Sequence, residues 1–203
     1  MQGSRTILAL TAGAVLALGL QLGSAATAAE TLSVGSAVPD FSLFDENGKE
    51  HKLSQYAGKM VVLEWTNPEC PFVADHYNKF NTMEKLSKEL GAKDVVWLAV
   101  NSTSSNKPED TKKWRSEQGF EYATLQDKDG KVGKMFDAKT TPHMFVLDTT
   151  HKLRYAGAID DNDAIGEPAK VNYVQSAAQK LFAGESPDPS DEAPYGCSVK
   201  YAK

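Results

Sequence analysis

The chain has 203 residues, with 27 acidic side chains against 22 basic ones and a formal net charge of −5. The excess is mild and spread out, and Lys and Arg form no stripe, which argues against nucleic acid as a partner. Only two cysteines are present, Cys70 and Cys197, too few for a disulfide scaffold.

The N-terminus reads as a targeting segment. Arg5 supplies a short positive region, Ile7 to Leu22 is largely apolar or small and carries no charge, and Ala26 and Ala28 form an A-x-A-like cleavage signal. A secretory signal peptide over residues 1–29 is expected, with export to the periplasm or the medium. An uncleaved anchor is the alternative, but the run is short for a membrane span. No Cys follows it, which argues against a lipid-modified N-terminus. No later segment is long and apolar enough to cross a membrane, so no membrane contact is expected after cleavage. About 175 residues remain, enough for one domain with its own core.

Residues 30–184 read as that domain. Glu30 to Asp45 holds short alternating stretches, and Asp45-Glu46-Asn47-Gly48-Lys49 is a turn. Met60–Trp65 is a largely apolar run, expected as a buried central strand. After the loop Thr66-Asn67-Pro68-Glu69, apolar residues from Phe72 to Leu90 recur at helical spacing and predict one helix ended by Gly91. Val95–Val100 is a second buried strand. Pro108, Glu109 and Asp110 suit the first turn of a helix running to about Gln118. Tyr122–Leu125 is a short strand, and Val132–Phe136 a short helix. His143–Asp148 and Leu153–Ala158 are two strands across a turn, and Asn172–Phe182 is a closing helix. This order predicts an α/β fold, with the last strand pair close enough for a hairpin and hence a mixed sheet flanked by helices. Residues 185–203, rich in Pro, Ser and acidic residues before Cys197, read as an extended C-terminal tail.

Cys70 lies just past a buried strand, the edge where α/β sheets place their sites. Pro71 suits the first helical position, which makes Cys70 the N-cap. A thiolate there faces unpaired backbone N–H groups and the positive end of the helix dipole, so its pKa is expected to fall. The competing reading is a buried, inert cysteine. Val73 stands three places on, so the C-x-x-C dithiol is absent. His76 falls on a different helix face and reads as a surface or satellite histidine rather than a base for Cys70. Pro142 opens a strand, where a missing N–H is tolerated. His143 faces either the site or the core.

Several segments resemble the alkyl hydroperoxide reductase / thiol-specific antioxidant (redoxin) superfamily of thioredoxin-like proteins. They are Gly35-Ser36-Ala37-Val38-Pro39-Asp40-Phe41-Ser42-Leu43, Asn47-Gly48-Lys49, Leu53-Ser54-Gln55-Tyr56-Ala57-Gly58-Lys59 and Thr141-Pro142. Asn67-Pro68-Glu69-Cys70-Pro71-Phe72-Val73 and Gly196-Cys197-Ser198-Val199-Lys200 resemble a peroxiredoxin-like branch of it. The resemblance implies a thioredoxin fold with Cys70 at the active-site position and a cis Pro142 beside it. It also implies that Asn67, Pro71, Thr141 and Pro142 surround the substrate, with Thr141 offering an edge to an extended one. Two departures stand out. Asn67 replaces the Thr or Ser that peroxiredoxins carry three residues before their cysteine, and Leu63 replaces their Pro seven residues before it.

Three functions compete. In the first, an accessible Cys70 thiolate attacks a peroxide or a protein disulfide, Cys197 resolves the intermediate, and a thioredoxin-like protein is a possible reductant; no cofactor is called for. The tail supports this: Gly184 to Cys197 spans up to roughly 45 Å extended, and Tyr195, Val199 and Tyr201 give it apolar groups with which to dock. The second is a copper-binding or metallochaperone protein using Cys70, Cys197 and His143 or His76, although no two candidate ligands lie at a short fixed spacing. The third is a binding module in which Cys70–Cys197 is a structural tether.

Overall fold

The computed structural model describes residues 31–202 together with Gly3; the leader read at residues 1–29 lies otherwise outside the described residues. Strands β1 (Ser42–Asp45) and β2 (Glu50–Lys52) form a hairpin, followed by a 3-10 turn at Leu53–Tyr56. Then come β3 (Val61–Trp65), α1 (Pro71–Asn78), α2 (Thr82–Gly91), β4 (Val96–Asn101), α3 (Pro108–Gln118), β5 (Thr124–Gln126) and α4 (Lys131–Met135). The chain closes with β6 (Thr140–Thr141), β7 (His143–Leu147), β8 (Leu153–Gly157), α5 (Tyr173–Phe182) and β9 (Cys197–Ser198). Among the described residues no helix is long and apolar enough to cross a membrane.

Seven strands make one mixed sheet in the order β2-β1-β5-β4-β3-β7-β8. The expected α/β architecture is therefore present: β3 and β4 pair in parallel, and β7 runs antiparallel to both β3 and β8. All five residues of β3 are buried, as an apolar run in a covered central strand requires. Alternate side chains feed two cores. Val62, Trp97, Met144 and Val146 pack under α1, α2 and α5, while Val61, Leu63, Trp65, Leu98 and Phe145 pack under α4 and the N-terminal segment.

Two expectations are corrected. The helix read through Phe72–Leu90 is two helices, broken where Asn81 takes a left-handed φ of 52°. Asn tolerates that conformation, and the apolar rhythm survives because Met83, Leu86 and Leu90 join the same core as Val73 and Tyr77. The tail is extended but docked. The Ala156 N–H donates to the Ser190 carbonyl, the Glu192 N–H to the Ala156 carbonyl, and β9 pairs antiparallel with β6.

Candidate active site

Cys70 follows the C-terminal end of β3 and is the N-cap of α1, with Pro71 in the first turn. Proline fits there because that N–H has no helical partner to lose. Asn67 shapes the approach: its Oδ1 accepts the Glu69 N–H at 2.9 Å, and its carbonyl accepts the Cys70 N–H at 3.0 Å. Because β7 is antiparallel to β3, with Trp65 opposite His143, the residues that precede β7 return to the end of β3. The Thr141–Pro142 peptide is cis, as expected, and the Cys70 thiol donates to the Thr141 carbonyl at 2.9 Å.

The tail completes the site. Cys197 lies opposite Thr141 in the β6–β9 pair. Gly196 passes over the Thr141 carbonyl so closely that a Cβ would fall 2.2 Å from its oxygen, and its φ of +117° is one that only glycine adopts freely. Both cysteines are free thiols, and Cys197 sits close enough to Cys70 for each to bias the other's ionisation.

This proximity divides the two thiols. Burial pushes Cys70 up, but the neighbouring Cys197 thiol, the Thr141 side chain and the Val73 backbone favour its thiolate and outweigh it, and the thiol lies below its ordinary value. The Thr141 carbonyl opposes them, since it accepts from S–H, so ionisation gives up that bond. Burial, then the hydrogen bond to Cys70 and its charge, push Cys197 up to about 11. The proton therefore stays on Cys197 and Cys70 becomes the thiolate. The alkylation rate of Cys70, followed by mass spectrometry against pH, is expected to turn over below the usual thiol value of about 8.5. The midpoint should rise in Cys197→Ala, which removes a donor. A wild-type midpoint at or above the usual value contradicts this assignment.

The accessible sulfur expected from sequence is not found: Cys70 is 1% exposed, and Tyr195 and Cys197 of the tail pack against the core cluster to which it belongs. His76 is likewise corrected. The tail packs on it, and the ring is buried with Nε2 2.9 Å from the Tyr195 hydroxyl. Burial holds it below its ordinary value, against the pull of Asp160. His143 faces neither cysteine. Its ring packs 4.3 Å from that of Phe145, its Nδ1 accepts the Lys139 N–H, and burial lowers its pKa to about 4. Among the described residues no group of three or more His, Cys, Asp or Glu side chains is placed to hold a metal ion.

Of the predicted site residues, Cys70, Pro71, Thr141, Pro142 and Cys197 come together, while the Asn67 oxygen turns into its own loop. Sequence reasoning missed Glu64. It is fully buried in β3, accepts from the Tyr77 hydroxyl at 2.8 Å and the Trp97 indole at 3.0 Å, and burial pushes its carboxyl up to about 7. The available signal was a single acid within a continuous apolar strand.

A cis-proline loop facing a cysteine N-cap on such a sheet is the thioredoxin-like arrangement, and paired thiols there make the protein a thiol-based oxidoreductase. Residues 34–156 match the AhpC/TSA family, and the chain belongs to that family. It is similar to thiol-disulfide oxidoreductase ResA of Geobacillus kaustophilus, 28% identical over 61% of this chain and 68% of that protein. It is also similar to the chloroplastic peroxiredoxin Q of Suaeda salsa, 30% identical over 61% of this chain and 58% of that one. The crystal structure of an uncharacterized conserved protein from Geobacillus kaustophilus matches with a TM-score of 0.75 and 27% identity, over 84% of this chain and 93% of its own.

Proposed function

We propose that Cys70 and Cys197 cycle between dithiol and disulfide, and that the reaction is thiol–disulfide exchange with a disulfide-bearing substrate outside the cytoplasm. The observation that carries this reading is that Cys197 lies opposite Thr141 in the β6–β9 pair while the Cys70 thiol donates to the Thr141 carbonyl, which brings both cysteines to the same residue. The Cys70 thiolate attacks one sulfur of the substrate disulfide and expels the other as a thiolate. Cys197 then loses its proton and attacks the Cys70 sulfur of the mixed disulfide, forming Cys70–Cys197 and releasing the second substrate thiol. The substrate disulfide is reduced by two electrons and the protein is oxidised by two. A thioredoxin-like donor is the class of partner that returns the protein to the dithiol. The leader expected at residues 1–29 supports an exported setting, and the similarity to proteins named thiol-disulfide oxidoreductase ResA supports the reaction type.

Peroxide reduction is the second reading, favoured by the similarity to peroxiredoxin Q. It is less well supported by the site. The groups that polarise the Cys70 sulfur are Cys197, Thr141 and the Val73 backbone, none of them a cation able to polarise an O–O bond. Asn67, at the peroxiredoxin Thr/Ser position, has its oxygen engaged by the Glu69 N–H. Reduced protein should be mixed separately with one equivalent of a disulfide-bonded peptide and of hydrogen peroxide, and its thiols counted over time. Loss of both thiols is expected at least about tenfold faster with the peptide. Faster reaction with peroxide, leaving sulfenic acid on Cys70, reverses the assignment.

A further inference from the structure

The segment carrying Cys197 is fastened on both sides of the cysteine, and each fastening is built into the body of the fold. Upstream, the Tyr195 hydroxyl donates to Asp160 Oδ1 at 2.6 Å and lies 2.9 Å from His76 Nε2. Asp160 and His76 are 3% and 6% exposed, so this tyrosine satisfies buried polar groups that water does not reach. Its ring packs against Phe72 of α1. Downstream, the Tyr201 hydroxyl donates to the Ala138 carbonyl at 2.8 Å. A Cβ on Gly133 would meet that hydroxyl at 2.5 Å and the ring at 2.7 Å. Glycine inside a helix costs about 1 kcal/mol relative to alanine, and here it leaves the seat that the Tyr201 ring fills. Between the two tyrosines β9 pairs with β6, the Val199 N–H donates to the Lys139 carbonyl at 3.0 Å, and the Ser104 N–H donates to the Lys200 carbonyl at 3.1 Å.

We propose that Tyr195 and Tyr201 are positioning residues, a two-point clamp that holds Cys197 against Cys70 and keeps Cys70 covered. A thiol fixed at both ends of its segment attacks its neighbour at high effective concentration, which favours the intramolecular disulfide over a persistent mixed one. The clamp also shields the Cys70 sulfur until the segment lifts. The redox consequence rests on the dithiol reading above; the shielding does not.

The two parts are tested separately. In a Cys197→Ser background, where Cys70 is the only thiol, iodoacetamide alkylation reports the cover directly. Tyr201→Ala and Gly133→Ala are expected to raise the rate at least about tenfold. Gly133→Ala acts from the body of the fold, at a position whose backbone accepts alanine; its Cβ displaces the Tyr201 ring and also presses on Ser102 Oγ, 2.8 Å away, so Tyr201→Ala, which leaves Ser102 untouched, is the matched control. Tyr195→Phe, which keeps the ring but loses both hydroxyl contacts, should move the rate the same way. Tyr201→Phe keeps the ring in its seat and should stay near the parent. Thermal unfolding of each variant verifies that the body remains folded. In the two-cysteine protein, Tyr201→Ala and Gly133→Ala should weaken the Cys70–Cys197 disulfide about tenfold, an upward shift of about 30 mV. Alkylation rates within twofold of the parent in Tyr201→Ala, Gly133→Ala and Tyr195→Phe overturn the clamp. If the wild type forms no reversible disulfide, the dithiol reading fails, and the alkylation series still decides whether the clamp exists.

Discussion

Replacing Cys197 with serine is expected to leave Cys70 joined to its substrate in a stable mixed disulfide and to lower turnover by roughly a hundredfold or more. Serine keeps a hydroxyl donor opposite Thr141, so the β6–β9 pairing and the cover over Cys70 are retained. What it lacks is a sulfur able to attack. The first half-reaction depends on the Cys70 thiolate and continues; the second depends on Cys197 and stops. The intermediate therefore accumulates and is visible by mass spectrometry as a mass increase confined to Cys70. The burial of Cys70 predicts a further feature. Because the sulfur is 1% exposed, formation of the adduct should be limited by lifting of the tail and should saturate at high substrate concentration. A variant that keeps full turnover but loses thermal stability would show that Cys197 is a structural tether.

Glu64→Gln is expected to remove a loss of stability of about 3 kcal/mol that the wild type suffers as pH rises from about 4.5 to about 7. The cause is burial: with no exposure in β3, the ionised carboxylate loses its hydration, and the Tyr77, Trp97 and Tyr122 donors return only part of it. The sign follows from the direction of the shift. The folded state keeps the Glu64 proton up to about 7, whereas the unfolded chain releases it near 4.5. Between those values the folded state binds more protons, so stability falls with rising pH, and above them both states are ionised and the loss is complete. Glutamine has the same shape and does not titrate. Its oxygen can accept from Trp97 and its amide can donate to the Tyr77 hydroxyl, which accepts as readily as it donates. Urea titrations of both proteins across this range give the difference directly. Parallel curves for the two proteins would mean that Glu64 has an ordinary carboxyl pKa.

The parts of the fold that were legible in the sequence are those that composition alone controls. β3 and β4 are largely apolar runs because both faces of the sheet are covered, and their observed bounds lie within a residue of those expected. Pro108 opens α3 as expected, and Cys70 caps α1 because Pro71 follows it, a purely local effect. The break between α1 and α2 was hidden for an equally physical reason. Both helices face the same core, so the spacing of apolar residues runs through the break without a signal. Features made by distant contacts were not legible. The β6–β9 pairing joins segments 56 residues apart in two-residue strands, too short to carry a pattern. His76 reads as a surface or satellite histidine from sequence because nothing within α1 reveals that Tyr195 packs on it. Cys70 is buried as well, beside the β6–β9 pair, which reverses the simple picture of an open, reactive thiol. The sequence pointed to both cysteines; the docking of the tail at Tyr195 and Tyr201 determines how they meet.

The most direct test of this account is the reduction potential of the Cys70–Cys197 pair, measured by equilibrating the protein in graded thiol–disulfide buffers, quenching with an alkylating agent and weighing the products. A single two-electron transition between dithiol and Cys70–Cys197 disulfide is predicted, at a potential above about −300 mV and so within reach of a thioredoxin-like donor. A pair that stays reduced across the whole series, or a disulfide that resists reduction below that potential, contradicts a catalytic cycle through these two residues.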